Sequence, residues 1–273
     1  MRSQFVALFL VLTVLFTGCS PAGSDDSSSA TLTVFAAASL TDVFTELAAE
    51  FEGDNPQVEI VLNFAGSQTL RLQVEQGARA DVFASANINH MQTLVDADLM
   101  RMPTIFTQNQ LVVILPTSNP ASIQSLADLT RPGTKLILAG EAVPAGKYAR
   151  QALTQLGDDP QLGPDFSNQV LRNLVSEEDN VKGVVAKIRL GEADAGIVYA
   201  SDVTPLVAPD LLTLPIPLEY NITADYPLAI GAESDAPELA NQFVEFVVSS
   251  RGQTLLAQHG FRPTQTQAIG LNQ

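Results

Sequence analysis

The chain has 273 residues, 46% of them hydrophobic, enough for one large α/β domain or two smaller lobes. Fourteen Lys and Arg face 30 Asp and Glu, and the formal net charge of −16 argues against nucleic acid as a partner and against any site made from a basic patch. There is no Trp and a single cysteine, Cys19, so no disulfide forms within the chain.

The N-terminus reads as a targeting segment. Arg2 is followed by an apolar run from Phe5 to Phe16, too short to span a bilayer and shaped like the core of a signal peptide. Thr17 and Gly18 then place small residues before Cys19, a pattern that resembles a bacterial lipoprotein signal. Residues 1–18 are therefore expected to be removed and Cys19 lipidated, which anchors the protein to a membrane. Residues 19–30, rich in Ser, Gly, Pro and Asp, read as a flexible tether.

From Thr31 onward strand and helix patterns alternate. Residues 31–37 are β-branched or apolar and predict a buried strand. Leu40, Val43, Phe44, Leu47, Ala48 and Phe51 then recur at helical spacing, predicting a helix over 40–52. Strand 58–64, helix 67–77, strand 81–84 and helix 88–96 follow. The apolar run 111–115 predicts a buried strand near a crossing between lobes. A second series comprises strand 134–139, helix 147–156, strand 170–174, helix 180–190 and strand 195–199. Residues 212–218 suggest an edge strand, 226–231 a strand, and 237–249 and 252–259 helices. Such alternation implies parallel sheets covered by helices.

In open α/β sheets, ligands lie at the carboxyl ends of strands against helix starts, where backbone N–H groups lack partners and the dipole is positive. Four junctions here carry small or hydroxyl residues: Ser39, Ser67 after Gly66, Ala145 after Val143-Pro144, and Val181 after Asn180. Tyr199 ends a strand, where its hydroxyl can face a cleft. Each residue taken alone has a plainer reading: Ser39 or Ser67 as a helix cap, Ala145-Gly146 as a turn, Val181 as core, Tyr199 as a packed aromatic. Taken together they suit a fully ionised oxyanion, which accepts hydrogen bonds and donates none.

The segments 34–41 (VFAAASLT), 63–67 (NFAGS), 80–85 (ADVFAS), 143–146 (VPAG), Asn180-Val181, 196–202 (GIVYASD) and 259–261 (HGF) resemble, in order, the molybdate-binding proteins of bacterial ABC transporters. The resemblance covers about residues 31–263 and implies an α/β, two-lobed periplasmic-binding-protein fold of type II. Each lobe would be a mainly parallel sheet flanked by helices, with a hinge between the lobes. Residues 31–112 plus 224–273 would form lobe 1 and residues 113–223 lobe 2. Carried over by position, Ser39 and Ser67 would contribute hydroxyl and N–H, Ala145 and Val181 backbone N–H, and Tyr199 its hydroxyl. The implied ligand is molybdate, with tungstate as its congener. The implied partner is an ABC transporter permease, and the protein would be a monomer with no cofactor.

Rival readings are a binding protein for another oxyanion such as sulfate, a phosphate or sulfate ester hydrolase, and the effector domain of a transcription factor. The hydrolase lacks a titratable nucleophile–base pair at the four junctions, so no catalytic residue is assigned. The regulator is disfavoured by the signal peptide and by the lack of DNA-binding helices. His90 and His259 lie far apart in helical contexts and read as surface or packing residues, so no metal ligand is assigned. Glu177-Glu178-Asp179 reads as a solvated loop, and Asn221-Ile222-Thr223 as a chance match to a glycosylation triplet.

Overall fold

The computed structural model describes residues 29–268. Cys19, the signal segment 1–18 and the tether up to residue 28 lie outside the described residues. The first half begins with β1 (Ala30–Ala37), α1 (Thr41–Asp54), β2 (Val58–Ala65), α2 (Ser67–Glu75), β3 (Val82–Ala84) and α3 (Ile88–Asp96). The long strand β4 (Thr104–Pro116) leads into β5 (Leu136–Ala139), α4 (Pro144–Leu156), α5 (Phe166–Leu171), β6 (Leu174–Glu178), α6 (Val181–Arg189), β7 (Ala195–Tyr199) and β8 (Leu211–Pro215). The chain returns through β9 (Thr223–Ile230) and closes with α7 (Pro237–Val248), α8 (Ser250–Gln258) and β10 (Arg262–Ala268).

The strand order β2-β1-β3-β9-β4-β7-β5-β6, with β8 and β10 also on β4, makes β4 the spine of the molecule. Its first part, Thr104–Gln110, pairs antiparallel with β9 and β10; its second part, Leu111–Pro116, pairs antiparallel with β7 and β8. The parallel pairings are β1 with β2 and β3, and β5 with β6 and β7, so each sheet is mixed. Strands that step from one helix-flanked series to the other must enter alongside their neighbours in the opposite direction, which is why the antiparallel strands cluster around β4.

The helices bury the stripes that their spacing implied. Val43, Phe44, Leu47, Ala48 and Phe51 of α1 are all buried. Phe44 meets Phe106 and Phe243 edge to face, with centroids 5.9 and 6.3 Å apart, a geometry that favours aromatic pairs. On the other side of β4, Val181, Val184, Val185 and Ile188 of α6 are buried against the second sheet. Side chains of this size contribute roughly 1.5–3 kcal/mol each when fully buried.

Three elements depart from expectation. Residues 170–174 are not a strand: Phe166 and Val170, four apart and both buried, belong to α5, and the strand begins only at Leu174. Glu177 and Glu178 therefore sit in β6, an edge strand, rather than in a loop; charged side chains are a common way to blunt such an edge. The strand at 111–115 extends back to Thr104, because its first part carries Thr107, Gln108, Asn109 and Gln110 and so lacks an apolar signature. Strand β10 was not anticipated, since RPTQTQA has little apolar character.

Two stretches of chain connect the halves: β4 itself and the segment from β8 to β9. They are joined side by side by one side chain. Asn221 accepts from the Leu111 N–H at 3.0 Å and donates to the Leu111 carbonyl at 2.9 Å, copying the ladder that Thr223 and Gln110 continue. The glycosylation-like triplet is thus a structural amide at the crossover. Asn221→Ala leaves both Leu111 groups without these partners, at a cost of about 1–3 kcal/mol. Chemical unfolding of the variant is expected to show that loss of stability with the denaturant slope preserved.

Candidate functional site

A small cavity lies where the two halves face each other. Its lining consists of Ala37, Ala38, Ser39, Gly66, Ser67, Ala86, Val143, Pro144, Ala145, Asn180, Val181 and Tyr199. All five residues singled out in the sequence for a ligand are among them, brought together from positions up to 160 residues apart along the chain. None of the lining side chains carries a charge. The cavity is small and lined mostly by backbone and short side chains, so it suits a small ion rather than a sugar or a peptide.

The walls are chain starts. Ser39 lies in a short 3-10 turn, Ala38–Leu40, ahead of α1, and it is not a helix cap: its Oγ is 2.9 Å from Tyr226 Oη. Ser67 is the first residue of α2, capped by Gly66, and its Oγ accepts from the Ala86 N–H at 3.0 Å. The Ser67 oxygen accepts and so keeps its own proton to donate, while Ser39 Oγ and Tyr226 Oη share one hydrogen bond that either hydroxyl can donate. Ala145 follows Pro144, which has no N–H, so it is the first residue of α4 with an amide to offer. At α6 the Asn180 side chain accepts from the Gly183 N–H at 3.2 Å, leaving the amides of Val181 and Lys182 ahead of it without intrahelical partners.

Two glycines permit the close approach of these walls. A Cβ on Gly146 would fall 2.1 Å from the Ala139 carbonyl oxygen, so the start of α4 presses on the end of β5. A Cβ on Gly66 would fall 2.7 Å from the carbonyl oxygen of Asp179, which belongs to the opposite half. Arg150 fastens α4 further by donating to the carbonyls of Ala139 at 3.0 Å and Gly146 at 2.9 Å, while also pairing with Glu177. Its charge is thereby spent on the frame and stays out of the lining.

Tyr199 lines the cavity and Tyr226 packs behind it. Tyr199 and Tyr226 meet edge to face at 5.7 Å, and both are buried. Burial pushes both phenols well above their ordinary range, so both hydroxyls keep their protons at neutral pH. Among the described residues, Tyr199 Oη has no hydrogen-bond partner. Tyr226 and Ala86 were not singled out in the sequence. The position of Ala86 just past β3 was the available signal for it; Tyr226 had none, because it lines nothing itself and acts from behind Ser39.

The two histidines hold structural contacts. His90 Nε2 lies 3.0 Å from the Ala142 carbonyl, and burial lowers its pKa, which favours the neutral ring. His259 Nε2 lies 2.6 Å from Glu46 Oε2.

Residues 32–262 match the family described as "Bacterial extracellular solute-binding protein". The molybdate-binding protein ModA of Mycobacterium tuberculosis is 37% identical over 243 residues, covering 89% of this chain and 88% of that protein. The putative ABC transporter substrate-binding lipoprotein YvgL of Bacillus subtilis is 29% identical, covering 95% of this chain and 97% of that protein. Among solved structures, the periplasmic molybdate-binding protein of Azotobacter vinelandii superposes with a TM-score of 0.73 at 18% identity, covering 86% of this chain and all of that one, which shows a shared fold.

Beside the cavity, Asp202 is buried and accepts from the Tyr199 N–H at 3.1 Å. Burial raises its carboxyl pKa from 3.8 to about 6, with the Lys182 ammonium opposing that rise. The folded state therefore binds this proton more tightly than the unfolded chain. The stabilising contribution is full below pH 3.8 and is lost as pH climbs through about 6. Thermal unfolding between pH 4 and 7 is expected to show this decline in the parent protein and to lack it in Asp202→Asn.

Proposed function

We propose, for a chain that belongs to the bacterial extracellular solute-binding protein family, one ligand and one role: it captures molybdate outside the cytoplasm and delivers it to an ABC importer. The observation that carries this reading is a cavity of ionic size, walled from both halves by helix starts and hydroxyls and free of charged side chains. Helix starts attract anions through unpaired amides and the positive end of the dipole. Such donors satisfy a dianion that carries no proton. Hydrogen phosphate brings a proton that needs an acceptor, and no carboxylate lines the wall.

In this reading Ser39 and Ser67 donate hydroxyl and N–H to the anion, Ala145 and Val181 donate N–H, and Tyr199 donates its phenol. Tyr226 donates to Ser39 Oγ, which turns the serine proton towards the ligand. Tungstate, with the same charge and shape, binds in the same way, and sulfate is rejected because fixed donors match a larger anion. The halves close on the anion by bending at β4 and at the Asn221 crossover. Lipidation of Cys19 holds the mature protein at the membrane beside its permease. The protein works as a monomer, without a cofactor and without a catalytic step.

Isothermal titration of the purified protein tests the assignment. Molybdate and tungstate are expected to bind at least tenfold more tightly than sulfate or phosphate; equal affinity for sulfate overturns the selectivity. A hydrogen bond to a charged group contributes about 1.5–3 kcal/mol, so Ser39→Ala and Ser67→Ala are each expected to weaken molybdate binding by roughly ten- to a hundredfold while remaining folded. If neither variant changes the affinity, the anion binds elsewhere.

A further inference from the structure

The groups that line the cavity are not the groups that tie its walls together. Three polar contacts cross from one half to the other at the rim. Gln68 Nε2 donates to the Asp179 carbonyl at 2.8 Å, His90 Nε2 lies 3.0 Å from the Ala142 carbonyl, and Lys182 Nζ donates to Asp42 Oδ2 at 2.8 Å. Lys182 also reaches into its own half, where its ammonium lies 3.8 Å from the buried Asp202 carboxylate, at Oδ1. That oxygen is buried and has no hydrogen-bond partner among the described residues.

The position of Lys182 is electrostatically odd by itself. It is the second residue of α6, and a cation in the first turn of a helix opposes the dipole. Asp42 is equally awkward for an anion site. It is the second residue of α1, three beyond Ser39, and its carboxylate repels a dianion held at that turn. Each charge answers the other. The ammonium offsets the Asp42 carboxylate, and two carboxylates from opposite halves offset the misplaced ammonium.

We propose that Lys182 is a latch that sets the affinity of the site without touching the anion: its ammonium, braced on buried Asp202, draws Asp42 across the cleft and brings the start of α1 against the start of α6. This rests on the reading of the cavity as an oxyanion site that closes on its ligand. Its signature is a change in the rate of ligand escape and in the protection of the opposite wall, rather than a missing contact to the ligand.

Three variants of the whole protein test the latch. Lys182→Met removes the charge and keeps the stem, Lys182→Arg keeps the charge, and Asp42→Asn leaves the Lys182–Asp202 contact in place should the loss of that contact unfold the protein. Hydrogen exchange is followed by mass spectrometry without any anion. Lys182→Met is expected to speed exchange over residues 39–45 of the opposite wall, and Asp42→Asn over residues 181–187. With molybdate as the probe, Lys182→Met is expected to bind about two- to fivefold more weakly through faster release, a difference that high salt erases and Lys182→Arg largely restores. Unchanged exchange in both walls overturns the latch, and so does unchanged molybdate affinity in Lys182→Met. Failure of the parent protein to bind molybdate instead counts against the proposed ligand, and the exchange measured without anion still decides whether Lys182 holds the walls together.

Discussion

An α-helix cannot satisfy the amides of its own first turn, and this architecture gathers that deficit from several chain starts at one point. The starts of α2, α4 and α6 and the turn before α1 all face one cavity, and the cavity draws on both halves of the chain. Water satisfies such amides on an open surface. Inside a small apolar-walled hollow, a negative ion does so better. Much of the lining follows: alanine, glycine, serine and proline let backbone come close, with Val143, Asn180, Val181 and Tyr199 completing the wall.

The strand β4 makes the convergence possible. Because one continuous strand serves both sheets, the two helix-flanked series are held face to face with only two connections between them. Asn221 binds those connections side by side through the backbone of Leu111. Around this crossover the polar residues of β4 find partners, among them Asn109, which donates to Ser201 Oγ at 2.7 Å in a buried setting. A polar, hydrogen-bonded crossover keeps its register more strictly than an apolar one, since a slip leaves several buried groups unpaired.

The chain is acidic and has few cations, and among the described residues none of them lines the cavity. Three positive side chains of α4 and α6 are engaged with the frame. Arg150 holds carbonyls of α4 and β5 and pairs with Glu177, Lys187 pairs with Glu178 at 2.7 Å, and Lys182 spans Asp42 and Asp202. The cavity is left to fixed dipoles. Dipoles are weaker than a guanidinium at long range, but within each half the backbone fixes them before any ligand arrives.

The alternation of strand and helix was legible from the period of apolar residues, as were most element boundaries, because burial on one face imposes that period directly. The residues that line the cavity were legible too: Ser39, Ser67, Ala145, Val181 and Tyr199 each follow a strand or open a helix, positions that sequence order reveals. What sequence order could not reveal was anything that depends on distance in space. Residues 166–171 form a helix by placing Phe166 and Val170 in a core supplied by other segments, and the polar first part of β4 is a strand only because β9 and β10 lie beside it. The same holds for Tyr226 behind Ser39 and for Lys182 between two carboxylates from opposite halves. Local periodicity and turn chemistry determine which pieces form and where their free amides lie. Which pieces face each other, and which charges are thereby offset, is decided when the folded chain brings together groups that have no relation along the sequence.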